Sequence, residues 1–198
     1  MKSWKNTRRK NWTTRHKEEY MELSFLYSIP RTDFLDKFFL FFSNLAGSIG
    51  QLWLIIGVAL LIFKKTRKTG VALLVSYIGV LLFGELLLKH VVTRLRPCQV
   101  DQAFALLIER PTSSSFPSTH SAFAFGAATA IFADYKKAGV AAFIVAALIA
   151  FSRLYLFVHF PTDVLCGIVL GVLVGIASVK ACRLAAKKRQ KEEIKAEQ

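Results

Sequence analysis

From residue 38 to residue 179 the chain is a succession of apolar stretches separated by short clusters of lysine and arginine. Few folds are open to such a chain. About 20 apolar residues match the ~30 Å hydrocarbon core of a bilayer, and backbone polar groups in lipid must be satisfied inside helices or closed barrels. Stretches 70–88, 121–133, 139–158 and 163–179 read as membrane helices, the second starting near Ser118. Stretch 38–63 is interrupted by Gly47-Ser48-Ile49-Gly50. It reads as one long tilted helix, or as a helix of about three turns, a turn at the glycines and a second crossing. Asp33, Asp36 and Lys37 mark an interfacial start and favour the second reading. The predicted fold is therefore all-α: a polytopic membrane helix bundle with five crossings, and a sixth short N-terminal helix as the variant.

Composition agrees once the charges are placed. The 198 residues carry a net charge of +14, yet 54% are apolar, which excludes a basic soluble nucleic-acid binder and a disordered chain. Seven basic residues lie in 1–20 and seven in 180–198; Lys64, Lys65, Arg67 and Lys68 form a third cluster, and Lys136-Lys137 a fourth. Cytoplasmic loops collect Lys and Arg. Alternating crossings put 64–69, 134–138 and 180–198 in the cytoplasm and leave 89–120 and 159–163 outside. The expected organisation is a basic N-terminal segment at 1–33, a membrane domain at 34–179 and a basic cytoplasmic tail at 180–198. The N-terminal run is cytoplasmic only if 34–63 crosses twice. Residues 1–20 lack an apolar core, so no cleavable leader is expected.

A second set of charges breaks the cytoplasmic rule. Lys89, Arg94, Arg96, Arg110 and Arg153 fall on or near the outer side, where ionisable groups at helix ends are functional suspects. Three ordered segments hold them together with hydroxyls and histidines: Lys89-x6-Arg96-Pro97, Phe116-Pro117-Ser118-Thr119-His120, and Ser152-Arg153-x5-His159-x3-Asp163. Alternation delivers all three to one end of the bundle. Guanidinium forks match phosphate oxygens, and lysine adds a point charge. Ser118 at a helix start adds a hydroxyl and free backbone N–H groups. His120 and His159 offer a general acid and a nucleophile, and Asp163 lies four residues on, where it can orient an imidazole. Together these are parts for phosphoryl transfer.

The three blocks resemble the signature of the type 2 phosphatidic acid phosphatase superfamily, the lipid phosphate phosphatases: Lys-x6-Arg-Pro, Pro-Ser-Gly-His and Ser-Arg-x5-His-x3-Asp. The resemblance covers about 89–163 and departs at Thr119, where the family has Gly. It implies a membrane lipid-phosphate phosphatase that hydrolyses phosphatidate, phosphatidylglycerol phosphate or polyprenyl diphosphate through a phosphohistidine. His159 would be the nucleophile, Asp163 its orienter and His120 the acid and base. Lys89, Arg96, Arg153, Ser118, Thr119 and Ser152 would hold the phosphate. Ser152 is open to a second reading, a hydroxyl bonded to backbone. No metal and no cofactor are expected. Partners are the lipid phosphate and the bilayer, not nucleic acid, and the expected location is a bacterial plasma membrane with the site on its outer face. A phosphotransferase of the same family and a non-enzymatic phospholipid binder stay open. Arg94 either assists the pocket or sits at the interface, and Glu85 pairs with a nearby cation. Cys98 is expected on the outer side and within reach of reagents unless the 98–116 loop covers it, with Cys166 and Cys182 in the last helix and no disulfide.

Overall fold

The computed structural model describes residues 14–47 and 50–196. Among them there is no strand. The helices are α1 (Thr14–Ser28), α2 (Asp33–Ala46), α3 (Gln51–Ile62), α4 (Arg67–Val80), α5 (Lys89–Val91), α6 (Pro97–Val100), α7 (Thr119–Asp134), α8 (Lys136–Tyr155) and α9 (Pro161–Ala196). Between α4 and α5 the rod does not stop; Leu81–Leu88 winds as a π-helix.

Helix α9 shows most plainly what solvent this fold was built for. Gly167, Gly171 and Gly175 are buried, whereas Leu165, Val169, Leu173 and Ile176 are exposed. Small residues face inward and large apolar ones outward, the reverse of a helix in water, as expected of a surface facing lipid. The glycines let α9 lie on the backbone of α7. A Cβ at Gly171 would stand 2.3 Å from the carbonyl oxygen of Ala122, and one at Gly167 the same distance from that of Ser118. This approach brings the first turns of the two helices together, and the Ser118 amide donates to the Asp163 carbonyl at 3.0 Å.

By length and apolar content three of the described helices can cross a membrane: Arg67–Val91, α8 and α9. Helices α2 and α3, bent by 51° at their break, make a fourth if counted as one span. Helix α7 has 16 residues and reaches only about 24 Å. Length and composition alone therefore stop short of the expected five crossings.

The break between α2 and α3 falls at the glycines, with Gly47 and Gly50 at positive φ (70° and 72°), a conformation costly for other residues. Thr32 starts α2 by accepting the Leu35 amide at 3.2 Å. Near this start Tyr155 donates to Asp36, farther along Arg153 donates to Ser43, and Gly47 at the end lies beside His120. Both ends of α2 thus lie at the end of the bundle where α8 stops and α7 begins. Helix α3 then runs away from it: Gly50 packs on Phe123, and Lys65, past its far end, accepts from Tyr135.

The structure adds detail to two sequence expectations. Residues 14–28, within the basic N-terminal segment, form a helix in which Leu26 is 0% exposed and Tyr27 packs on Phe157 at 5.3 Å. The lysines and arginines of 1–13 lie outside the described residues. Cys98, expected within reach of reagents unless its loop covers it, is fully buried beneath the Phe104, Phe157 and Phe160 cluster, and the exposed thiol is Cys166. Proline at the start of α6 folds residue 98 inward, a consequence that charge placement along the chain does not reveal.

Candidate active site

Helix ends assemble the site. Lys89 opens α5, Arg96 precedes α6, and Ser118 is the N-cap of α7 with Thr119 and His120 in its first turn. Ser152 and Arg153 close α8, and Asp163 lies in the first turn of α9. The short link 156–160 carries His159. Phe157 there takes a left-handed φ of 60°, and the amides of Val158 and His159 both turn back onto the Arg153 carbonyl, at 3.2 and 3.3 Å. A non-glycine residue in that region is strained, by on the order of 1 kcal/mol. The strain holds His159 beside the helix end that bears Arg153.

His159 is 2% exposed. Its Nε2 lies 3.1 Å from Nη1 of Arg96. A guanidinium only donates, so Nε2 holds the lone pair and Nδ1 the proton. Burial first, and then the neighbouring Arg96 and Arg153, depress its pKa to about 3 against the opposing pull of Asp163. The ring is neutral at physiological pH, and its electron pair, on Nε2, accepts from Arg96. Asp163 Oδ2 lies 3.9 Å from Nδ1, near it but beyond hydrogen-bond length. Ser115 is closer, with Oγ 3.5 Å from Nδ1, and it donates to Asp163 Oδ2. Sequence reasoning missed Ser115; its signal was the run Ser113-Ser114-Ser115 just ahead of the second block.

The three expected cations converge but are held differently. Arg96 is 3% exposed and tied to the loops: Nε donates to the Ser113 carbonyl at 2.8 Å, Nη1 to that of Val158 at 2.9 Å, and Nη2 to Ser113 Oγ and the Ser114 carbonyl. Lys89 Nζ lies 2.7 Å from Glu85, four residues earlier, as expected, and Glu85 also bonds Thr119. Arg153 has no carboxylate within ion-pair distance among the described residues. It is 5% exposed, Nη1 donates to Ser43 at 2.7 Å, and its Nε is buried without a partner. Buried donors are nearly always paired, and an unpaired buried charge is costly. An anionic oxygen would satisfy this one.

Other expected phosphate ligands are differently engaged. Ser118 Oγ pairs with Ser121 Oγ at 2.9 Å. Ser152 Oγ donates to the Ile149 carbonyl at 2.7 Å, the backbone-bonding alternative. Thr119 has ordinary helix-start geometry, and its methyl packs over Gly84, where an added Cβ would lie 3.3 Å away. His120 is half-buried and lies beside the backbone of Gly47. Arg94, left between two readings, turns from the pocket toward Asp163 and Glu22. Ser43, Gly47 and Glu22 carried no sequence signal, because they are ordinary residue types far from the three blocks.

Solved structures share this arrangement of helices. A transmembrane PAP2 type phosphatidylglycerolphosphate phosphatase from Bacillus subtilis matches with a TM-score of 0.68 and 29% identity, covering 83% of this chain and 85% of that one. LpxE from Aquifex aeolicus matches with a TM-score of 0.63 and 28% identity, covering 82% and 94%. Among curated proteins, an undecaprenyl-diphosphatase of Sulfolobus acidocaldarius is 36% identical over 65% of this chain, which spans 62% of that protein's length. A lipid A 4'-phosphatase of Bacteroides thetaiotaomicron is 34% identical over 42% of the chain and 40% of its own. The family model of the PAP2 superfamily matches residues 69–185, more than half of the chain and all three blocks, and the chain belongs to that superfamily.

Proposed function

We propose that this protein is a metal-independent, integral-membrane lipid phosphatase that hydrolyses phosphate monoesters or diphosphates of lipids through a phosphohistidine on His159. The observation that carries the reading is the buried, unpaired Nε of Arg153 beside a neutral His159 whose lone pair faces Arg96. A phosphate entering among Lys89, Arg96 and Arg153 finds donors for its oxygens and a nucleophile for its phosphorus. In the first step the Nε2 pair forms the N–P bond as the P–O bond to the lipid breaks, and His120 gives a proton to the leaving oxygen. In the second, water attacks phosphorus with His120 as base, releasing phosphate and restoring His159. Charge on the equatorial oxygens grows in both transition states, and the cations stabilise it. Ser115 and Asp163 face the Nδ1 proton and stabilise the positive ring formed on attack.

The exposed apolar girdle makes a lipid the natural substrate. The undecaprenyl-diphosphatase and lipid A phosphatase likenesses put polyprenyl diphosphate and lipid A first in a panel with phosphatidate and phosphatidylglycerol phosphate. In this reading α3, the Arg67–Val91 rod, α7, α8 and α9 make five crossings, α2 stays on the site's side, and that side is the outer face. Purified protein in detergent with excess EDTA should release inorganic phosphate from at least one member of the panel. Release from none, or release only with added magnesium, overturns the reading. A cysteine placed at the exposed Thr112 in a background without native cysteines reports sidedness: an impermeant thiol reagent should label it from outside the cell.

A further inference from the structure

Arg94 stands between two carboxylates. Its Nη1 donates to Asp163 Oδ1 and to Thr162 Oγ1, both at 2.7 Å, and its Nη2 donates to Glu22 on α1. Glu22 also accepts the Thr162 amide at 2.9 Å and its hydroxyl. The side chains are 15% exposed for Arg94, 13% for Glu22 and 0% for Asp163. Arg94 is fixed further by stacking over Phe160 at 4.2 Å and by backbone bonds to Ser114 and Ser115. Both Nη1 protons and one of Nη2 are thus spent on Asp163 and the residues around it.

Asp163 is thus gripped from both sides. Oδ1 takes Arg94, and Oδ2 takes Ser115 and the Phe160 amide at 2.9 Å. Oδ2 is also the oxygen that faces His159. Without Arg94 the buried carboxylate would lose its only charged partner among the described residues and the donor on Oδ1, leaving Ser115 and the Phe160 amide to hold Oδ2 alone. Glu22 fixes the other prong of the same fork. Besides that bond, α1 is held by Leu26, which is fully buried, and by the Tyr27 ring packed on Phe157.

We propose that Arg94 and Glu22 are positioning residues for the reaction: the ion-pair chain Glu22–Arg94–Asp163 fixes the carboxylate that holds Ser115 against the Nδ1 side of the His159 ring, so α1, outside the family match, is part of the working site. The proposal rests on the function given above, and its test separates the two. The full-length protein in detergent is compared with Arg94→Gln and Glu22→Gln. Orthovanadate bonds to the histidine nitrogen in line with the phosphoryl path, whereas inorganic phosphate is held by the cations alone. Vanadate binding should weaken by about tenfold in Arg94→Gln and by a smaller factor in Glu22→Gln, because only a well-aimed nitrogen completes the transition-state-like adduct. Phosphate binding should stay within about twofold of the parent, and kcat should fall about as far as vanadate affinity while KM stays level. The double variant should be no worse than Arg94→Gln alone, since both changes break one chain. Vanadate affinity unchanged in both variants overturns the proposal, as does equal weakening of vanadate and phosphate, which would make Arg94 a phosphate ligand. If Arg94→Gln does not fold, the near-isosteric Glu22→Gln decides. A parent that binds vanadate in this pattern but releases phosphate from no lipid would sink the function and leave the positioning chain standing.

Discussion

Residues 69–185, the family match, hold the groups to which the proposed mechanism gives the chemistry: Lys89, Arg96, His120, Arg153, His159 and Asp163. Helices α1 and α2 hold none of them, yet reach that end of the bundle at several points. Glu22 meets Arg94, Asp36 meets Tyr155, Ser43 meets Arg153, and Gly47 meets His120. One region supplies the reacting and charge-bearing atoms, and the other sets their posture. Charge and nucleophilicity confine the first region to a few residue types at fixed spacings. Posture is met by any donor or acceptor that arrives at the right place. If this division is right, losses in the first region should be catastrophic and losses in the second graded.

The largest loss should follow removal of the nucleophile. His159→Ala should lower phosphate release by about 10⁴-fold or more while the protein stays folded in detergent, because no other imidazole faces the cations from that link. Activity within tenfold of the parent would transfer the chemistry elsewhere and break the comparison at its stronger side. Next come two residues that touch each other across the divide. Arg153→Ala removes the buried cation and should cost about 10²–10³-fold in kcat/KM. Ser43→Ala removes one hydrogen bond to that cation and should cost about threefold to tenfold, consistent with ~1 kcal/mol for such a bond. Equal losses at the two positions, measured on the same lipid, would erase the difference between the regions.

The smallest expected effect is in pH. His159 must be neutral to attack. With its pKa depressed to about 3 by burial and the two guanidinium groups, it stays neutral as pH falls from 7 to 5. After correction for ionisation of the substrate and of His120, the loss of kcat/KM over that interval should therefore stay below about twofold. A histidine with an ordinary pKa near 6.5 would instead lose most of its neutral form there. An acid limb centred near 6.5 would mean that the pocket is wetter than the geometry shows.

The same division explains what could be read from the chain before its fold was known. Alternating apolar stretches and basic loops carry the bundle and bring the three blocks to one end. That much needs only the bilayer's thickness and the cost of charge in lipid. Crossing counts were harder, since α7 is short and α2 returns to the end of the bundle where it began; neither is visible in hydropathy. The hydroxyls of Ser118 and Ser152 look like phosphate ligands in sequence, but local partners, Ser121 and the Ile149 carbonyl, claim them. Ser115 was passed over although it lies between His159 and Asp163, because one serine in a run of three has no pattern of its own. Glu22 follows Glu18 and Glu19 in a segment set apart by its basic residues, and only its contact with Arg94 reveals that it belongs to the site.

The partnerless Nε of Arg153 also bears on how the protein endures heat. A buried guanidinium without a counter-charge among the described residues makes the substrate-free form the less stable of the two, so any oxyanion that fills the pocket acts as a folding ligand. At a hundredfold excess over its dissociation constant, such a ligand raises stability by about 2.7 kcal/mol, which for a chain of this size corresponds to a melting point higher by roughly 5–11 °C. Inorganic phosphate, the product of the proposed reaction, would thus serve as a preservative during extraction from the membrane, and a phosphate-free buffer would be the harsher choice.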